Sequence, residues 1–386
     1  MKSPVHKLGV VGANRYSVPL VRWVLSRGYP VVWLERDFGA LENHLALLKK
    51  ESASDVPSGL LAPVLEDAQL RLLSATTQTI DLSGCDLVVE TTPDDLEEKI
   101  AVSKELESVL APDTGIGVSL DTLTVTQLGS YLLHPDRLFG IRPIGLPPRT
   151  LSGFEILAGL ETGSSVVEAA SDFARMLELY PAFAKEGPGG IANRLLARCF
   201  SEARAVASED GGMLSALDDE LTKRGFETVP GATIDKVGRK WASRLTGFFH
   251  RFYGNTFLQW RTESRDRMDF SVKAGEGVSR TGSDGAGHLL LSLVNECVQI
   301  VCEGVASWET VNRVSVLMFG LEGEGLLDWG RSKGWPVVLT GMWEVSVQTD
   351  GRIWPSPLLQ LKGVSNRKQS VAKEKTDAPD RFPERS

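Results

Sequence analysis

Residues 7–37 read KLGVVGANRYSVPLVRWVLSRGYPVVWLERD, and this stretch decides the fold. An apolar run at 8–11 leads into a turn at Gly12, and a second apolar run at 31–34 ends at Glu35. Between the two runs, apolar residues recur at spacings of three and four, which predicts an amphipathic helix. Strand, tight turn, helix, strand and acid follow one another as in a dinucleotide-binding βαβ unit.

The glycine fingerprint of such a unit is altered here. The expected G-x-G-x-x-G reads Gly12-Ala13-Asn14-Arg15-Tyr16-Ser17, so only the first glycine is kept. We expect the Asn14 side chain to lie where the backbone should approach a pyrophosphate, whereas Glu35 would accept hydrogen bonds from an adenosine ribose. Gly12, Asn14, Tyr16 and Glu35 are the candidate cofactor residues. The alternative is an α/β domain that once held a dinucleotide and now holds none.

Length and composition exclude several classes of protein. At 386 residues, the chain should form two or three domains, and its net charge of −8 argues against nucleic-acid binding. We expect no membrane span, because no apolar run approaches the required length, and no signal peptide precedes the first strand. The four cysteines and five histidines show no CxxC or metal-ligand spacing. These features predict a cytoplasmic protein without a metal site.

Strand and helix patterns alternate along the first part of the chain. A helix is expected at 62–73, followed by strands at 86–90, 115–120, 137–143 and 154–157. The alternation predicts an α/β fold, a Rossmann-type doubly wound parallel sheet covered on both faces, followed by an all-α domain. From residue 187 the pattern is helical only, and NRLLARCFSEA (193–203) resembles HLLLSLVNECV (288–298). We therefore expect a helical module that is used twice.

The domain boundaries expected from these patterns are as follows. A dinucleotide-binding domain occupies 5–183, a first helical module 184–272, a glycine-rich linker 273–287 and a second helical module 288–345. The polar end, residues 365–386, has the composition of a disordered tail.

Five stretches together resemble the 3-hydroxyacyl-CoA dehydrogenase family. They are the opening unit, DLVVETTPDDLEEKIAVSKEL (86–106), VSLDTLTVTQL with HPDRLFGIRPIG (118–145), GPGGIANRLLARCFSEA (187–203), and NECVQIVCEG with GLEGEGLLDWGRSKG (295–334). The doubled helical module resembles the dehydrogenase half of multifunctional fatty-acid oxidation proteins. The resemblance implies an NAD-linked oxidoreductase of fatty-acid metabolism, an acyl thioester as substrate, and a homodimer.

The resemblance assigns roles to three candidate catalytic residues. The family's general base is a histidine in an H-F-F-N-P motif, and a downstream glutamate orients it. Arg142 stands at the histidine position here, Gly145 replaces the asparagine that reaches the nicotinamide, and Glu155 matches the orienting glutamate. Asn193 matches the family's substrate-contacting asparagine, although an asparagine near a helix start is often only a cap.

Three further residues match positions around the cofactor. Lys99 matches a cofactor-contacting lysine and Asp94 an acidic neighbour of the cofactor, while Asp121 replaces a serine near the nicotinamide end. On their residue types alone, Lys99 and Asp94 could be solvated charges on an exposed first turn, and Asp94 could cap the helix. Glu35 favours NAD over NADP because it would repel a 2′-phosphate.

Arg142 limits the chemistry that this site can perform. A guanidinium does not titrate near neutral pH and cannot serve as a general base, although it can donate hydrogen bonds to a carbonyl oxygen or alkoxide. We expect Arg142 and Glu155 to form a structural ion pair. The leading hypothesis is a divergent NAD-linked oxidoreductase that interconverts 3-hydroxyacyl and 3-ketoacyl groups. The alternatives are a catalytically silent homologue that binds an acyl thioester or a partner subunit, and an enzyme for a small polar hydroxy acid.

Overall fold

The structure is a computed structural model of the 386-residue chain. It describes residues 5–14, 17–55, 63–145, 151–187, 189–206, 212–258, 261–262, 268–269 and 284–365. The chain forms two compact units, Met1–Arg194 and Leu195–Ser386. The division between the units falls near the start of a helix, beyond the boundary expected after residue 183.

Unit 1 is built on one eight-stranded sheet. Its strands are β1 (Leu8–Val11), β2 (Val31–Leu34), β3 (Leu73–Thr76), β4 (Leu87–Glu90), β5 (Gly115–Val118), β6 (Leu138–Ile144), β7 (Gly153–Ala158) and β8 (Tyr180–Lys185). They lie in the order β3-β2-β1-β4-β5-β6-β7-β8. The chain steps outward from β1 to β3 and then returns to the other side of β1 as β4. The carboxyl ends of β1 and β4 therefore form the topological switch point, where open α/β sheets bind ligands.

The central strands are buried on both faces. LGVV in β1, VVWL in β2 and LVVE in β4 have every residue buried, because helices cover the sheet above and below. The helices of unit 1 are α1 (Ser17–Ser26), α2 (Phe38–Asp55), α3 (Pro63–Leu70), α4 (Leu96–Val109), α5 (Val125–Gly129), α6 (Ser164–Met176) and the start of α7 (Ala192–Val206). The predicted α/β class is confirmed.

The largely parallel sheet includes an antiparallel pair, because β7 runs against β6 and β8 follows the direction of β7. Two details of the sheet differ from the prediction. The helix expected at 62–73 ends at Leu70 as α3, and Leu73 begins strand β3 instead. Strand β8 was not predicted, and it carries the sheet to Lys185, two residues past the expected end of the domain.

Unit 2 contains two sets of four helices in the same order. The first set is α7 with α8 (Gly212–Lys223), α9 (Pro230–Val237) and α10 (Arg239–Tyr253); the second is α11 (Gly285–Cys302), α12 (Trp308–Phe319), α13 (Leu326–Lys333) and α14 (Trp335–Gln348). The last three helices of each set begin at 212 and 308, 230 and 326, and 239 and 335, an offset of 96 residues each time. This regular offset supports the predicted repeat.

A glycine with the same backbone conformation recurs in both sets. Gly238 separates α9 from α10 with φ 88° and ψ 137°, and Gly334 separates α13 from α14 with φ 87° and ψ 126°. Because φ is positive at both corners, glycine is the residue that turns the chain there without strain. The same backbone conformation therefore forms the corner between the last two helices of each set.

The ends of unit 2 correct two expectations. The expected linker at 273–287 is too long, because Asp284 caps α11 and Gly285 to Gly287 are already helical. A helix at 357–365 runs into the first residue of the expected tail, and the rest of that tail lies outside the described residues. A small antiparallel pair, β9 (Arg261–Thr262) with β10 (Met268–Asp269), lies between the two sets.

Helix α11 is both long and apolar. By length and composition it could cross a membrane, contrary to the expectation that no run approaches that length. However, 67% of its 18-residue window is buried inside the structure, and one such helix is weak evidence for a membrane span because a core helix has the same properties. Apolar residues of α7, among them Leu195 and Phe200, are also buried within the fold.

A cluster of buried charges connects α7 to α11 and to the segment after α14. Arg198 donates from Nε and Nη2 to Glu296 Oε2 at 2.9 and 2.8 Å. Glu202, on the same helix, accepts from both Nη atoms of Arg352 at 2.9 and 2.7 Å and contacts His288 Nε2 at 3.0 Å. All five side chains are at least nine-tenths buried. The core of unit 2 therefore depends on balanced charge as well as on apolar packing.

The environment of Glu202 keeps its carboxyl group ionised. Burial raises the pKa of Glu202 and is the largest single effect. Three neighbours oppose this effect: the charge and hydrogen bonds of Arg352, a hydrogen bond from His288, and the charge of Arg198. Together they hold the pKa of Glu202 well below 4.5. Because the pKa is depressed in the folded state, Glu202 contributes stability above pH 4.5 that is lost progressively as the pH falls below that value.

We expect Glu202→Gln to lower the free energy of unfolding by about 3–5 kcal/mol at neutral pH, since it leaves a buried positive charge uncompensated. The loss relative to wild type should shrink as the pH falls below 4.5, the range in which wild type loses the contribution of Glu202. Urea unfolding monitored at a series of pH values measures both effects. Glu322→Gln, which removes an exposed carboxylate of the same unit, is the control and should change little. An equally small change for Glu202→Gln would contradict the account.

Candidate active site

The turn after β1 has the conformation that a dinucleotide-binding unit needs. Gly12 has φ 91°, and a Cβ at this position would lie 3.1 Å from Thr91 Oγ1 and 3.2 Å from the backbone nitrogen of Thr92. Both the positive φ and the close approach require glycine. The Gly12 carbonyl accepts from the buried Trp33 Nε1 at 3.0 Å, and its N–H donates to Leu34 O at 2.9 Å. The turn is therefore fixed to strand β2.

Asn14 connects the carboxyl ends of β1 and β4. Its Nδ2 donates to the carbonyl of Thr91 and, at 3.2 Å, to Thr91 Oγ1, while its Oδ1 accepts from the N–H of Ser17 at 3.2 Å. The side chain therefore lies at the switch point, in agreement with the expected position near the pyrophosphate path. Asn14 is not among the described residues with positive φ, so it does not use the left-handed conformation. Tyr16 lies outside the described residues.

Glu35 follows β2 and lies against the same turn. Its Oε2 accepts from the N–H of Ala13 at 2.7 Å, and its Oε1 accepts from the N–H of Asp37 at 3.1 Å. Each carboxylate oxygen can accept a second hydrogen bond, which leaves capacity for a ribose hydroxyl. With the Gly12 turn and the switch point, this placement fits a dinucleotide. The Asn14 side chain is the feature of this turn that suits a bound dinucleotide least.

Lys99 is not at the surface. Its side chain is fully buried, and Nζ donates to Glu90 Oε2 at 2.8 Å and to the carbonyl of Thr92 at 3.1 Å. Glu90, at the end of β4, also accepts from the N–H of Thr92. The idea of a solvated charge is therefore wrong for Lys99. The pair fixes the loop after β4, and Glu90 is a residue that the sequence analysis missed although it ends a buried strand.

Asp94 does not cap the following helix. Asp95 is the N-cap of α4 and accepts from the N–H of Glu98 at 3.0 Å. Asp94 instead accepts from the backbone N–H groups of Asp121 and Thr122 at 3.2 and 2.7 Å, and from the Thr122 hydroxyl at 2.5 Å. Asp94 therefore joins the loop after β4 to the loop after β5.

Asp121 and Asn193 meet at this edge. Asn193, in the first turn of α7, donates from Nδ2 to Asp121 Oδ1 at 3.0 Å. Asn193 is 4% exposed, whereas Asp121 is half-buried. The structure thus brings together two predicted site residues that are 72 positions apart. Asn193 therefore links the start of α7 to the loop after β5 through a hydrogen bond to the Asp121 carboxylate.

Arg142 and Glu155 face each other across β6 and β7, as partners in the strand register. Arg142 Nη1 donates to Glu155 Oε2 at 3.3 Å and to the carbonyl of Gly189 at 2.9 Å, and Nη2 donates to the carbonyl of Leu120. Arg142 is 4% exposed and Glu155 is fully buried. The expected ion pair is confirmed. Because the guanidinium is committed to these three acceptors, it is poorly placed to hydrogen-bond a substrate carbonyl.

The turn before α7 closes over this pair. Glu155 accepts from the backbone N–H of Ile191 and, at 3.2 Å, from that of Ala192, the first residue of α7. The carboxylate therefore also compensates the positive end of a helix. A Cβ at Gly190 would lie 2.1 Å from Glu155 Oε1, so the turn requires glycine. The sequence signal for this turn is the pair Gly189-Gly190, which precedes α7.

The ring of His250, in unit 2, contacts the carbonyl of Phe257 through Nδ1 at 2.8 Å. No group of three His, Cys, Asp or Glu side chains suited to a metal ion occurs among the described residues. Gly145 has φ 116° and ends the strand that carries Arg142, a conformation open to glycine.

We expect Arg142→Met to destabilise the protein by about 3–5 kcal/mol, because it leaves the buried Glu155 carboxylate without its cation. The double variant with Glu155→Leu should lose less than the sum of the two single variants. Urea unfolding of the four proteins gives the coupling free energy. The exposed pair Arg175 and Asp172 supplies a matched control cycle with little coupling. If the losses in free energy of unfolding of the two single variants add up to the loss of the double variant, the two side chains are not coupled, and the buried ion pair is contradicted.

Comparison with known proteins agrees with this geometry. Residues 7–186 match the family described as 3-hydroxyacyl-CoA dehydrogenase, NAD binding domain. A 3-hydroxybutyryl-CoA dehydrogenase of Clostridioides difficile is 26% identical over 252 residues, which are 65% of this chain and 89% of that protein. A fatty acid oxidation complex subunit alpha of Shewanella loihica is 25% identical over 69% of this chain, but the match covers only 41% of that protein.

Among solved structures, the 3-hydroxybutyryl-CoA dehydrogenase of Escherichia coli K12 superimposes with a TM-score of 0.80. The match covers 95% of this chain and all of that one at 17% identity, so it supports the fold alone. It extends the likeness through both sets of helices. Taken with the residues that match, these findings show that residues 7–186 form an NAD-binding domain of the 3-hydroxyacyl-CoA dehydrogenase type.

Proposed function

We propose that this protein is an NAD(H)-dependent oxidoreductase that interconverts 3-hydroxyacyl and 3-ketoacyl thioesters. The observation that carries the proposal is the contact between Glu35 and the N–H of Ala13, which places an acid of the right kind beside the glycine turn at the switch point. The relatives named as 3-hydroxybutyryl-CoA dehydrogenases support the substrate class.

The chain's own residues have separable tasks in this function. Glu35 would hold the adenosine ribose and disfavour a 2′-phosphate, and the Gly12 turn would let the backbone approach the pyrophosphate. When bound, NAD supplies the acceptor for the hydride that leaves the alcohol carbon. Asn193 would bind substrate at the edge where it already meets Asp121. Arg142 would hold Glu155 and the turn before α7, and would take no part in proton transfer.

The second candidate function is a catalytically silent homologue that binds an acyl thioester or a partner subunit. The buried guanidinium of Arg142, which pairs with Glu155 and donates to two backbone carbonyls, favours it, because that position cannot supply a base. The two candidates differ in turnover and in cofactor binding. An enzyme must bind NAD(H) and oxidise 3-hydroxyacyl-CoA, whereas a silent homologue need do neither.

A homodimer in the cytoplasm completes the proposal. All four cysteines are free thiols, and three of them are buried, which suits a reducing compartment. Most apolar residues of α7 and α11 are buried within the fold. A dimer would therefore use other apolar groups, and the Trp343–Trp354 ring pair is exposed at 39% and 60%.

We expect titration with NADH to quench protein fluorescence, and NADPH to bind more weakly because Glu35 repels the 2′-phosphate. Asn14→Gly should tighten NADH binding by about fivefold, or roughly 1 kcal/mol, since it removes a side chain from the switch point. Asn14→Ala is the control that removes the amide without adding glycine's freedom. Preference for NADPH would contradict the role of Glu35. Unchanged affinity in both Asn14 variants would contradict the crowding of the pyrophosphate path.

We expect light scattering of the purified chain to give the mass of a dimer, and Trp354→Ser to shift the equilibrium toward monomer by exposing less apolar surface for association. Phe38→Ser, which removes an exposed aromatic group from unit 1, is the matched control. A wild-type monomer at all concentrations would remove the dimer, and a dimer unaffected by Trp354→Ser would move the interface elsewhere.

A further inference from the structure

The strand order places the two halves of a bound dinucleotide. Doubly wound sheets of this order bind one mononucleotide over each half of the sheet, on either side of the switch point. Glu35 marks the adenosine half at the carboxyl end of β2, so the nicotinamide half belongs over the carboxyl ends of β4, β5 and β6. Asp121 lies three residues after the end of β5 and is therefore in the reactive half. The inference below rests on the proposed function.

Oxidation of a secondary alcohol releases a proton as well as a hydride, and a neighbouring group must accept it. Arg142 cannot, because a guanidinium stays protonated. Glu155 is fully buried and already accepts from Arg142 and from the N–H groups of Ile191 and Ala192. Neither member of the pair that stands at the family's dyad positions can therefore take the proton.

The remaining ionisable groups of this edge differ in how they are held. Glu90 is fully buried and paired with Lys99. Asp94 is half-buried, but it accepts from three donors that join two loops. Asp121 is half-buried, and its side chain contacts Asn193, the residue that matches the family's substrate-contacting asparagine. Among the described carboxylates of this edge, Asp121 combines solvent access with proximity to the substrate asparagine.

We propose that the Asp121 carboxylate is the general base of this enzyme. With NAD⁺ bound as the hydride acceptor, a carboxylate oxygen of Asp121 would take the alcohol O–H proton, so that the O–H and C–H bonds break and a C=O bond forms. The protonated Asp121 then returns its proton to water. In the reverse direction, protonated Asp121 would give its proton to the oxygen of the ketone that is being reduced. Asn193 Nδ2 orients the carboxylate at 3.0 Å, and the Asp94 carboxylate fixes the Asp121 backbone.

The charge of Asp121 should also affect cofactor binding, and this effect can be measured without turnover. A carboxylate beside the nicotinamide ring attracts the cationic ring of NAD⁺ and has no such attraction for the neutral ring of NADH. Removing this charge should therefore weaken NAD⁺ binding relative to NADH binding. A residue with a merely structural role would change both affinities together.

The test compares wild type with Asp121→Asn and Asp121→Glu. Asp121→Asn should lower kcat for oxidation of 3-hydroxybutyryl-CoA by about 10²–10⁴-fold, and Asp121→Glu, which keeps a carboxylate, should retain more activity. By fluorescence titration, Asp121→Asn should reduce the preference for NAD⁺ over NADH by about 3- to 10-fold. Asp113→Asn removes the same charge from an exposed position just before β5, at the opposite end of the strand, and should change neither quantity.

The outcomes separate this inference from the function on which it rests. If wild type turns over and Asp121→Asn matches it in kcat and in relative NAD⁺ affinity, Asp121 is not the base and the dehydrogenase function stands. If wild type binds NAD(H) but gives no turnover with any 3-hydroxyacyl-CoA, both ideas fall. If Asp121→Asn lowers NAD⁺ and NADH binding equally and loses its folded circular dichroism, the residue is structural and the inference is overturned.

Discussion

The buried ion pair between Arg142 and Glu155 is the interaction on which the candidate site depends. Placing two charges inside a protein is costly unless each also has good hydrogen-bond partners. Here the guanidinium reaches two backbone carbonyls, and the carboxylate reaches two backbone N–H groups at the start of α7. Through this pair, the end of β5, the antiparallel strands β6 and β7, and the Gly189–Gly190 turn are held together. This arrangement brings Asn193 within hydrogen-bond distance of Asp121.

The same pair constrains the chemistry of the edge. A cation that compensates a buried carboxylate cannot leave it without leaving an unpaired charge behind, so Arg142 is fixed in a structural role. Glu90 with Lys99 acts in the same way after β4, as does Asp94 between the two loops. Most charged groups of the edge thus hold backbone in place. The groups that we propose to contact ligands are Glu35 on the adenosine side and Asp121 with Asn193 on the other.

Much of the fold followed from the sequence because its strongest signals are local. The buried runs of β1, β2 and β4 are continuous and apolar, and the Gly12 turn between them is short. Strands β3 and β8 were missed because LSAT and YPAFAK lie at the two edges of the sheet, are partly exposed, and lack an apolar run. The Arg142–Glu155 pair was predictable, since the residues matched the positions of a known pair.

Contacts between loops could not be predicted in the same way. Lys99 and Asp94 carry charges on or near a first helical turn, and such charges are usually solvated. Glu90, the partner of Lys99, comes close only when α4 folds back over the end of β4, and the N–H groups after β5 reach Asp94 only because β4 and β5 are neighbouring parallel strands. The choice of Asp95 over Asp94 as helix cap depends on where α4 begins, which sequence patterns locate only within a few residues.

The central claim is that proton transfer in this protein does not involve a group at position 142, and the pH dependence of wild-type kcat/KM for 3-hydroxyacyl-CoA oxidation tests it most directly. A histidine base gives a break near pH 7. We predict that wild type shows no break between about pH 6 and 8, and that Arg142→His introduces one, because histidine titrates in that range. A wild-type profile that breaks near pH 7 would contradict the account, since it would show a histidine-like base in the native site.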